Sequence, residues 1–157
     1  MGSGKSTVGK LLAQKLNWHF EDSDNEIVLR HKSIPEIFAE RGESGFRIIE
    51  RDVILDLIAK SQNLVLATGG GSVESPELVE SFLNHEWIFL NVDIKTLWDR
   101  VKKDLNRPLA KSGFEDFKNR YEKRLSHYQK APHQICCDDL PPEDVVQKIW
   151  EEFGLSK

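Results

Sequence analysis

The residues with the most direct chemistry stand at the start of the chain, where Gly2-Ser3-Gly4-Lys5-Ser6-Thr7 matches the second half of the pattern G-x-x-x-x-G-K-[ST]. In this pattern the backbone N–H groups of a glycine-rich turn surround a polyphosphate, the lysine reaches its terminal phosphates, and the next hydroxyl binds Mg²⁺. The start of the chain therefore predicts a nucleotide-binding loop. A flexible terminus rich in glycine and serine is the alternative.

The residues after this loop favour the first interpretation. Apolar side chains recur at helical spacing, at Val8, Leu11, Leu12 and Leu16. The loop is thus expected to open into an amphipathic helix whose N-terminal end, where the helix dipole is positive, faces the phosphates.

Two carboxylates follow the next predicted element. Trp18-His19-Phe20 alternates like a short strand, and Asp22 and Asp24 come just after it. Open α/β sheets bind ligands at the C-terminal ends of their strands, so either carboxylate could take part in binding or catalysis. Either one could instead cap the helix predicted over residues 25–31.

Arg47 is a cation in an unfavourable position. The pattern predicts a short helix over residues 34–40 that Gly42 ends, followed by a longer helix that Ser44 caps. Arg47 lies in the first turn of the longer helix, where the helix dipole disfavours a positive charge. Its presence there indicates a bound anion, although Glu50, three residues further on, could equally be its ion-pair partner.

Three consecutive glycines follow a buried strand predicted over Leu64–Ala67. Gly69, Gly70 and Gly71 are costly in backbone entropy, and they allow a ligand to approach the backbone closely. A loop that only needs positive φ angles usually has one glycine or two. The run of three therefore indicates a ligand site.

The rest of the chain continues the alternation of strands and helices. The predicted elements are a helix over 76–83, a strand over 87–92, a helix over 94–103, a basic helix over 117–130, a strand over 134–137 and a helix that opens at Pro141-Pro142. The polar loop over residues 106–114 contains Arg107 and is long enough to serve as a mobile lid. Alternation at this spacing predicts βαβ units and a parallel sheet.

Composition limits the possible classes of function. The chain has 157 residues and a formal net charge of -4, which predicts one compact domain without the basic surface of a nucleic-acid-binding protein. No apolar run could span a membrane and the start is unlike a secretory signal, so we expect a cytoplasmic protein, or a plastid one if a transit peptide has been removed. The five histidines lack a metal-binding spacing, and the adjacent Cys136 and Cys137 suit neither a long-range disulfide nor a zinc site.

In their order, these motifs resemble those of the shikimate kinase family, small P-loop kinases of the nucleoside-monophosphate-kinase type. The resemblance covers essentially the whole chain and rests on GSGKST, on DSD at residues 22–24, on GESGFRIIE, on ATGGG, and on RPL followed by RLSHY. It implies a three-layer α/β/α fold with a parallel sheet of strand order 2-3-1-4-5. It also implies a single domain over residues 1–157, with substrate-binding helices at about 25–60 and a lid at about 105–118.

The resemblance further implies a reaction, the transfer of the γ-phosphoryl group of MgATP to the 3-hydroxyl of shikimate, on the pathway to aromatic amino acids. Lys5 would hold the transferring phosphate, and Ser6 and Asp22 would position Mg²⁺. Arg107 would reach the phosphates together with the lid. The residues implied in ATP binding are Gly2, Ser3, Gly4, Lys5, Ser6, Thr7, Arg100 beside the adenine, Arg107, and Pro142 as a weaker candidate for the far side of that ring.

At the acid substrate, the resemblance implies that Asp24 binds the shikimate hydroxyls and orients or deprotonates the attacking one. Arg47 and Arg124 would bind the substrate carboxylate, because planar guanidinium groups can hold a carboxylate through two parallel hydrogen bonds. Gly69, Gly70 and Gly71 would pass beneath the ring, with Phe38 and Phe46 as apolar walls and Glu50 as a partner of Arg47. The family is usually monomeric, so we expect a monomer that binds shikimate and ATP but neither nucleic acid nor a membrane.

Two other functions stay open at this point. A kinase of the same fold for another small acid, such as gluconate, would also combine a nucleotide loop with arginines for a carboxylate. A nucleotide-binding homologue without activity could act as a regulatory module. The FR pair after GESG, the three glycines and the arginine of RLSHY favour shikimate.

The phosphate-binding pattern begins late. Its first glycine, and the buried strand that normally leads into such a loop, would fall before Met1. In the family's sheet that strand lies between residues 64–67 and 87–92, whose backbone groups would otherwise lack partners. We therefore expect Met1 to be an internal residue of the loop in the complete protein, in a chain that is truncated or whose start was misassigned.

Overall fold

Helices and strands alternate along the chain, as the sequence predicts. The computed structural model describes residues 2–102, 113–138 and 140–154. Its elements are α1 (Lys5–Leu16), β1 (His19–Asp22), α2 (Ser23–Arg30), α3 (Ile34–Lys60), β2 (Leu64–Ala67), a 3-10 turn (Ser72–Glu74), α4 (Pro76–Leu83), β3 (Ile88–Asn91), α5 (Ile94–Val101), α6 (Gly113–Tyr128), β4 (His133–Cys136) and α7 (Pro142–Glu152). None of the helices in the described ranges is long and apolar enough to cross a membrane.

Among the residues that the structure describes, the strands form two parallel pairs. β1 runs beside β2 in the register His19↔Leu64 to Asp22↔Ala67. β3 runs beside β4 in the register Ile88↔His133 to Asn91↔Cys136. Helices connect the members of each pair, because parallel neighbours need a long crossover connection. The predicted α/β class with parallel strands is confirmed. The expected order counts the strand before Met1 as its first, so β1 to β4 correspond to its strands 2 to 5. The two observed pairs are then its neighbours 2-3 and 4-5.

The chain divides into two compact units, and the first is Gly9–Asn84. Its core consists of Ile27, Ile37, Phe46, Ile49, Val53 and Leu57, with Ile34, Leu64 and Leu66 packed against them. Phe46, Ile49, Val53 and Leu57 recur every three or four residues along α3 and form one apolar face of the helix. Burial of this face holds α3 against α2 and β2.

The second unit consists of the described part of Met1–Val8 and of His85–Lys157. Its buried apolar residues include Val92, Leu97, Val101, Phe117, Ile135, Val145, Val146 and Ile149. Three of these, Val145, Val146 and Ile149, form an apolar stripe along α7. Trp98 of α5 packs against Phe114 and Phe117 of α6, with ring centroids 5.7 and 5.5 Å apart. The expected single domain over residues 1–157 stays a prediction.

α3 contains the two helical segments predicted on either side of Gly42. It runs from Ile34 to Lys60 with one interruption at Gly42, whose φ of 66° and ψ of -174° are not helical. Glycine tolerates this positive φ, and the backbone is kinked there, so Gly42 separates two helical segments as predicted. Helical backbone resumes directly after Gly42, so Ser44, predicted to cap the second helix, lies in the first turn of the second segment.

The predicted lid falls largely outside the described residues. Residues 103–112, which include Arg107, are not among them. α6 begins at Gly113, earlier than the predicted start at residue 117. The last part of the predicted lid, residues 113–118, is therefore helical.

Candidate functional site

The predicted phosphate loop is a turn with two left-handed glycines. Gly2 and Gly4 have φ angles of 73° and 85°, a region that residues with a Cβ rarely enter. α1 begins at Lys5, and the N–H of Val8 donates to the carbonyl of Gly4 at 2.9 Å. The N–H groups of the first helical turn lack helical acceptors and lie at the positive end of the helix dipole. This geometry suits an anion such as a phosphate.

α5 supports this loop from one side. Gly2 lies so close to α5 that a Cβ would stand 3.1 Å from Cγ2 of Val101 and 3.2 Å from the carbonyl oxygen of Leu97. Arg100 of the same helix donates from Nη1 to the carbonyl of Gly2 at 3.2 Å. The structure thus places Arg100, predicted to lie beside the adenine, next to the loop. Of the other predicted ATP contacts, Ser3, Lys5 and Ser6 are half-buried and Thr7 is exposed.

Asp22 and Ser23 link the end of β1 to the loop after β2. Asp22 is buried and caps α2, because its Oδ1 accepts the N–H of Asp24 at 3.0 Å. The helix-cap role left open for Asp22 is therefore present. Ser23 is fully buried, and its Oγ accepts the N–H of Gly69 at 3.0 Å. The register that places Asp22 opposite Ala67 brings these two strand ends together.

Close packing requires glycine in the loop after β2, which we term the glycine loop (residues 69–71). None of the three glycines has a positive φ. A Cβ on Gly69 would stand 3.0 Å from Oδ1 of Asp24 and would overlap the carboxylate of Glu50. A Cβ on Gly71 would overlap the guanidinium of Arg47. The side chains of Asp24, Glu50 and Arg47 therefore lie directly against the glycine loop.

Arg47 is held by three glutamates. Its Nη1 donates to Oε2 of Glu50 at 2.6 Å, as the sequence allowed. Its Nη2 lies 3.3 Å from Oε1 of Glu43 and 3.5 Å from Oε2 of Glu74. Burial favours the neutral form of the guanidinium, but the charge and hydrogen bond of Glu50, followed by the charge of Glu74, outweigh it. The pKa of Arg47 is therefore raised above its ordinary value.

The two aromatic residues predicted to line the site pack against each other beside Arg47. The rings of Phe38 and Phe46 have centroids 4.7 Å apart and an interplanar angle of 30°. Cζ of Arg47 lies 5.3 Å from the centroid of Phe46, within the range of a cation–π contact. Phe46 is buried, whereas Phe38 is 38% exposed. Phe38 therefore presents an apolar surface to solvent.

Arg124 and Pro142 belong to the second compact unit. Arg124 lies in α6 with 6% of its surface exposed. An arginine is almost never buried to this extent unless it is paired. Pro142 is the first residue of α7, where its fixed φ and missing N–H suit the start of a helix. Arg107, the predicted lid arginine, lies outside the described residues.

Sequence reasoning missed Ser23, Glu43 and Glu74. Ser23 lies between Asp22 and Asp24, whose carboxylates are the more obvious candidates for chemistry. Its bond to Gly69 depends on strand register, which the local sequence does not indicate. Glu43 stands four residues before Arg47, a helical spacing that could have identified the pair. The contact of Glu74 depends on a 3-10 turn that no periodicity in the sequence indicates.

The predicted magnesium ligands fit that metal in their chemistry. The described part of the chain contains no cluster of three or more His, Cys, Asp or Glu side chains that could hold a metal ion. Mg²⁺ usually binds one or two carboxylates and completes its shell with water and substrate phosphates. Ser6 supplies a hydroxyl oxygen and Asp22 a carboxylate, both of the hard oxygen type that Mg²⁺ prefers.

The motifs and the geometry agree with a single family. The family model described as "Shikimate kinase" matches residues 1–153. This chain belongs to the shikimate kinase family. It is 41% identical to the shikimate kinase of Persephonella marina over 151 residues, which are 95% of this chain and 92% of that protein.

Solved shikimate kinases share the fold. The structure from Acinetobacter baumannii, in complex with shikimate, has a TM-score of 0.92 and 33% identity, and the match covers 100% of this chain and 90% of that one. The structure from Aquifex aeolicus has a TM-score of 0.87 and 37% identity, with coverages of 98% and 92%. The predicted P-loop kinase fold is confirmed, and so is the predicted activity, because shikimate kinases are ATP-dependent enzymes that act on a shikimate hydroxyl. The roles of individual residues stay predictions.

Proposed function

We propose that this shikimate kinase transfers the γ-phosphoryl group of MgATP to the 3-hydroxyl of shikimate from a site built on the glycine loop. The observation that carries this proposal is the pair of charges on that loop, with Asp24 against Gly69 and Arg47 against Gly71. Shikimate has hydroxyl groups and one carboxylate, so a carboxylate from α2 and a guanidinium from α3 that lie against one short loop are complementary to it. The shikimate bound to the Acinetobacter baumannii relative supports the same ligand.

The substrate carboxylate is assigned to Arg47 and Arg124. A guanidinium binds a carboxylate through two parallel charged hydrogen bonds, which are about twice as strong as neutral ones. Arg47 is already aligned by Glu50 and by the ring of Phe46, so little side-chain entropy is lost on binding. The exposed face of Phe38 would cover apolar carbons of the ring, which would lie over the glycine loop.

Asp24 is assigned as the acceptor of the hydroxyl proton. Of the two carboxylates beside Gly69, Glu50 is buried and bonded to Arg47 at 2.6 Å, whereas Asp24 is half-buried and can reach a ligand, which favours Asp24 for this role. The hydroxyl oxygen attacks the γ-phosphorus, its proton passes to the carboxylate of Asp24, and ADP leaves with the bridging oxygen. Because phosphoryl transfer needs mainly positioning and neutralisation of charge, one oriented hydroxyl and a set of cations suffice.

ATP is assigned to the loop of residues 2–7. The N–H groups at the start of α1 would surround its phosphates, with Lys5 on the transferring group and Arg107 reaching the same phosphates. Ser6 and Asp22 would hold Mg²⁺, which supplies positive charge to the β- and γ-phosphates when bound. Arg100, fixed beside the loop by its bond to Gly2, would pack near the adenine, with Pro142 as a further candidate.

The partners and the location are proposed from the composition. The net charge of -4 supports a protein without a nucleic-acid-binding surface. We propose a monomer without membrane partners, in the cytoplasm or, after removal of a transit peptide, in a plastid.

Asp24→Asn tests the proposed role of that carboxylate. Asparagine keeps the size of the side chain but cannot accept the proton, so kcat should fall about 100- to 10,000-fold. The Kd of a nonhydrolysable ATP analogue should stay unchanged. Coupled ADP release at saturating shikimate gives kcat, and titration calorimetry gives the Kd.

Asp52→Asn is the matched control, because Asp52 is an exposed carboxylate that pairs with Arg51 at 2.7 Å. This variant should turn over shikimate at the wild-type rate. A wild-type kcat in Asp24→Asn would exclude Asp24 as the proton acceptor. Turnover of gluconate without turnover of shikimate, or binding of the ATP analogue without turnover of either acid, would overturn the proposed reaction.

A further inference from the structure

The three glutamates around Arg47 differ in how firmly they hold it. Glu50 has 2% of its side chain exposed and accepts from Nη1 at 2.6 Å. Glu43 and Glu74 approach Nη2 at 3.3 and 3.5 Å, and 65% and 39% of their side chains are exposed. A buried hydrogen-bonded pair is held by its surroundings, whereas long, exposed pairs are weak and screened by water. Nη1 therefore has a lasting partner, and Nη2 has partners that can be replaced.

Nε of Arg47 leads to the same conclusion. Within the described ranges, it is a buried donor that has no hydrogen-bond acceptor. Arginine can bind a carboxylate through Nε and Nη2, which form one edge of its planar donor fork. In this structure that edge has no acceptor on one nitrogen and weak acceptors on the other. Because Nε is buried, an incoming carboxylate would contact this edge at Nη2, where it could replace the two exposed glutamates.

Glu74 differs from Glu43 in its position relative to the glycine loop. Glu43 stands one helical turn before Arg47 on α3, so their contact is an ordinary pair on one helix. Glu74 belongs to the 3-10 turn that directly follows the glycine loop, and its N–H donates to the carbonyl of Gly71 at 3.0 Å. One short segment thus carries both the surface proposed for the substrate ring and a carboxylate on Arg47.

We infer that Glu74 lowers the affinity of the site for acids, because its carboxylate competes with that of the substrate for Nη2 of Arg47. The inference rests on the proposed function, which assigns the substrate carboxylate to Arg47. Without substrate, Glu74 neutralises part of the guanidinium charge. When the acid binds, its carboxylate replaces that of Glu74 at Nη2. The negative charge of Glu74 then lies near the bound carboxylate and weakens the binding of the acid. Glu74 is a specificity-determining residue that acts through Arg47 and does not touch the reacting atoms.

Glu74→Gln tests this inference, because glutamine keeps the shape of the side chain and removes its charge. We expect the Kd of shikimate to fall about two- to fivefold, the range for loss of one exposed ion pair, with KM falling in parallel. The Kd of ATP should not change. The methyl ester of shikimate, which lacks the carboxylate charge, should bind equally to Glu74→Gln and to the wild type. Titration calorimetry measures all three affinities.

Glu77→Gln is the matched control. Glu77 is also exposed and lies three residues further on, but it pairs with Arg51, at 3.4 Å, instead of Arg47. Its substitution should leave the Kd of shikimate at the wild-type value. An equal increase in shikimate affinity in the two variants would indicate a general effect of net charge. Unchanged or weaker binding of shikimate by Glu74→Gln would exclude competition. Either result overturns the inference.

Arg47→Ala separates this inference from the proposed function. If the variant loses affinity for shikimate but keeps it for ATP, the assignment of the carboxylate to Arg47 stands, and Glu74→Gln alone decides the inference. If the variant binds shikimate like the wild type, the assignment of Arg47 is wrong and the inference fails with it. Arg47→Lys, which keeps a charge but loses the planar fork, replaces the alanine variant if that variant does not fold.

Discussion

At Gly71, the space that a side chain would occupy is filled by the guanidinium of Arg47. In Gly71→Ala the added methyl group must push Arg47 aside. Displacement of a positioning group by about 1 Å can lower catalysis about 100-fold, and we expect a loss of that order in kcat/KM for shikimate. The Kd of ATP should not change. Steady-state kinetics over a range of shikimate concentrations, with circular dichroism to verify folding, measure the effect.

Wild-type kinetics in Gly71→Ala would contradict this interpretation, because they would mean that Arg47 can move without loss of function. A rise in KM for ATP equal to that for shikimate would also contradict it. In that case the glycine would be required for the fold of the unit rather than for the position of Arg47.

The residues with distinctive chemistry could be predicted from the sequence, whereas their partners could not. Asp24, Arg47 and the glycine loop carry motifs that indicate a ligand, and the structure brings them together. Ser23 and Glu74 are ordinary residue types whose contacts are set by tertiary structure. The bond from Gly69 to Ser23 joins residues 46 positions apart, so it depends on strand register rather than on any local pattern.

Among the secondary-structure elements, Ser23 joins the start of α2 to the glycine loop. Ser23→Ala removes the acceptor of the Gly69 N–H, and a buried donor without an acceptor costs about 1 to 3 kcal/mol. We expect Tm to fall by about 2 to 10 °C for a protein of this size. Because the bond also fixes the glycine loop, KM for shikimate should rise. Thermal denaturation and steady-state kinetics test the two effects separately.

Ser75→Ala serves as the control for a loss of stability without a change at the site. Ser75 caps α4, where its Oγ accepts the N–H of Leu78 at 3.4 Å. Loss of such a cap typically costs about 1 kcal/mol. This variant should have a lower Tm and an unchanged KM for shikimate. If KM rises equally in both variants, general destabilisation explains the result and the link through Ser23 is excluded.

The existence of the elements was more predictable than their ends. α1, β2, α4 and α7 follow from apolar spacing and from prolines at helix starts, which are local signals. The kink of α3 at Gly42 was predictable from the glycine itself, whereas the start of the second segment was not, because Ser44 was the expected cap and helical backbone resumes before it. α2 begins at Ser23 instead of at the predicted residue 25, because Asp22 is the residue that caps it.

For the molecule as a whole, the two cysteines can report on the integrity of the unit that contains β4. Cys136 is exposed, whereas Cys137 is buried and donates from Sγ to the carbonyl of Ile135 at 3.1 Å. Burial, followed by the neighbouring Cys136, raises the pKa of the Cys137 thiol from its ordinary value of 9.0 to about 11. The fold therefore favours the neutral thiol at this position.

Thiol modification with mass spectrometry tests this difference. At pH 8 we expect Cys136 to react rapidly and Cys137 only at the rate at which the unit opens, because the thiolate is the reactive form. The stabilisation from burying the neutral thiol is fully present below pH 9.0 and is lost as the pH rises toward about 11. The protection of Cys137 should weaken over the same range. Equal rates for both cysteines at pH 8 would contradict the burial of Cys137.

The register of β1 and β2 has a consequence for how the length of this chain can vary in evolution. The strands are aligned from His19↔Leu64 to Asp22↔Ala67, and Ser23, one residue beyond the last pair, meets Gly69, two residues beyond it. An insertion or deletion of one residue inside either strand would turn its side chains to the opposite face and separate those two residues. Additional residues at positions 61–62, between α3 and the Asn63 carbonyl that accepts the N–H of His19, would leave the alignment intact. Changes in length are therefore tolerated before β2, while within the two strands only the residue type can change.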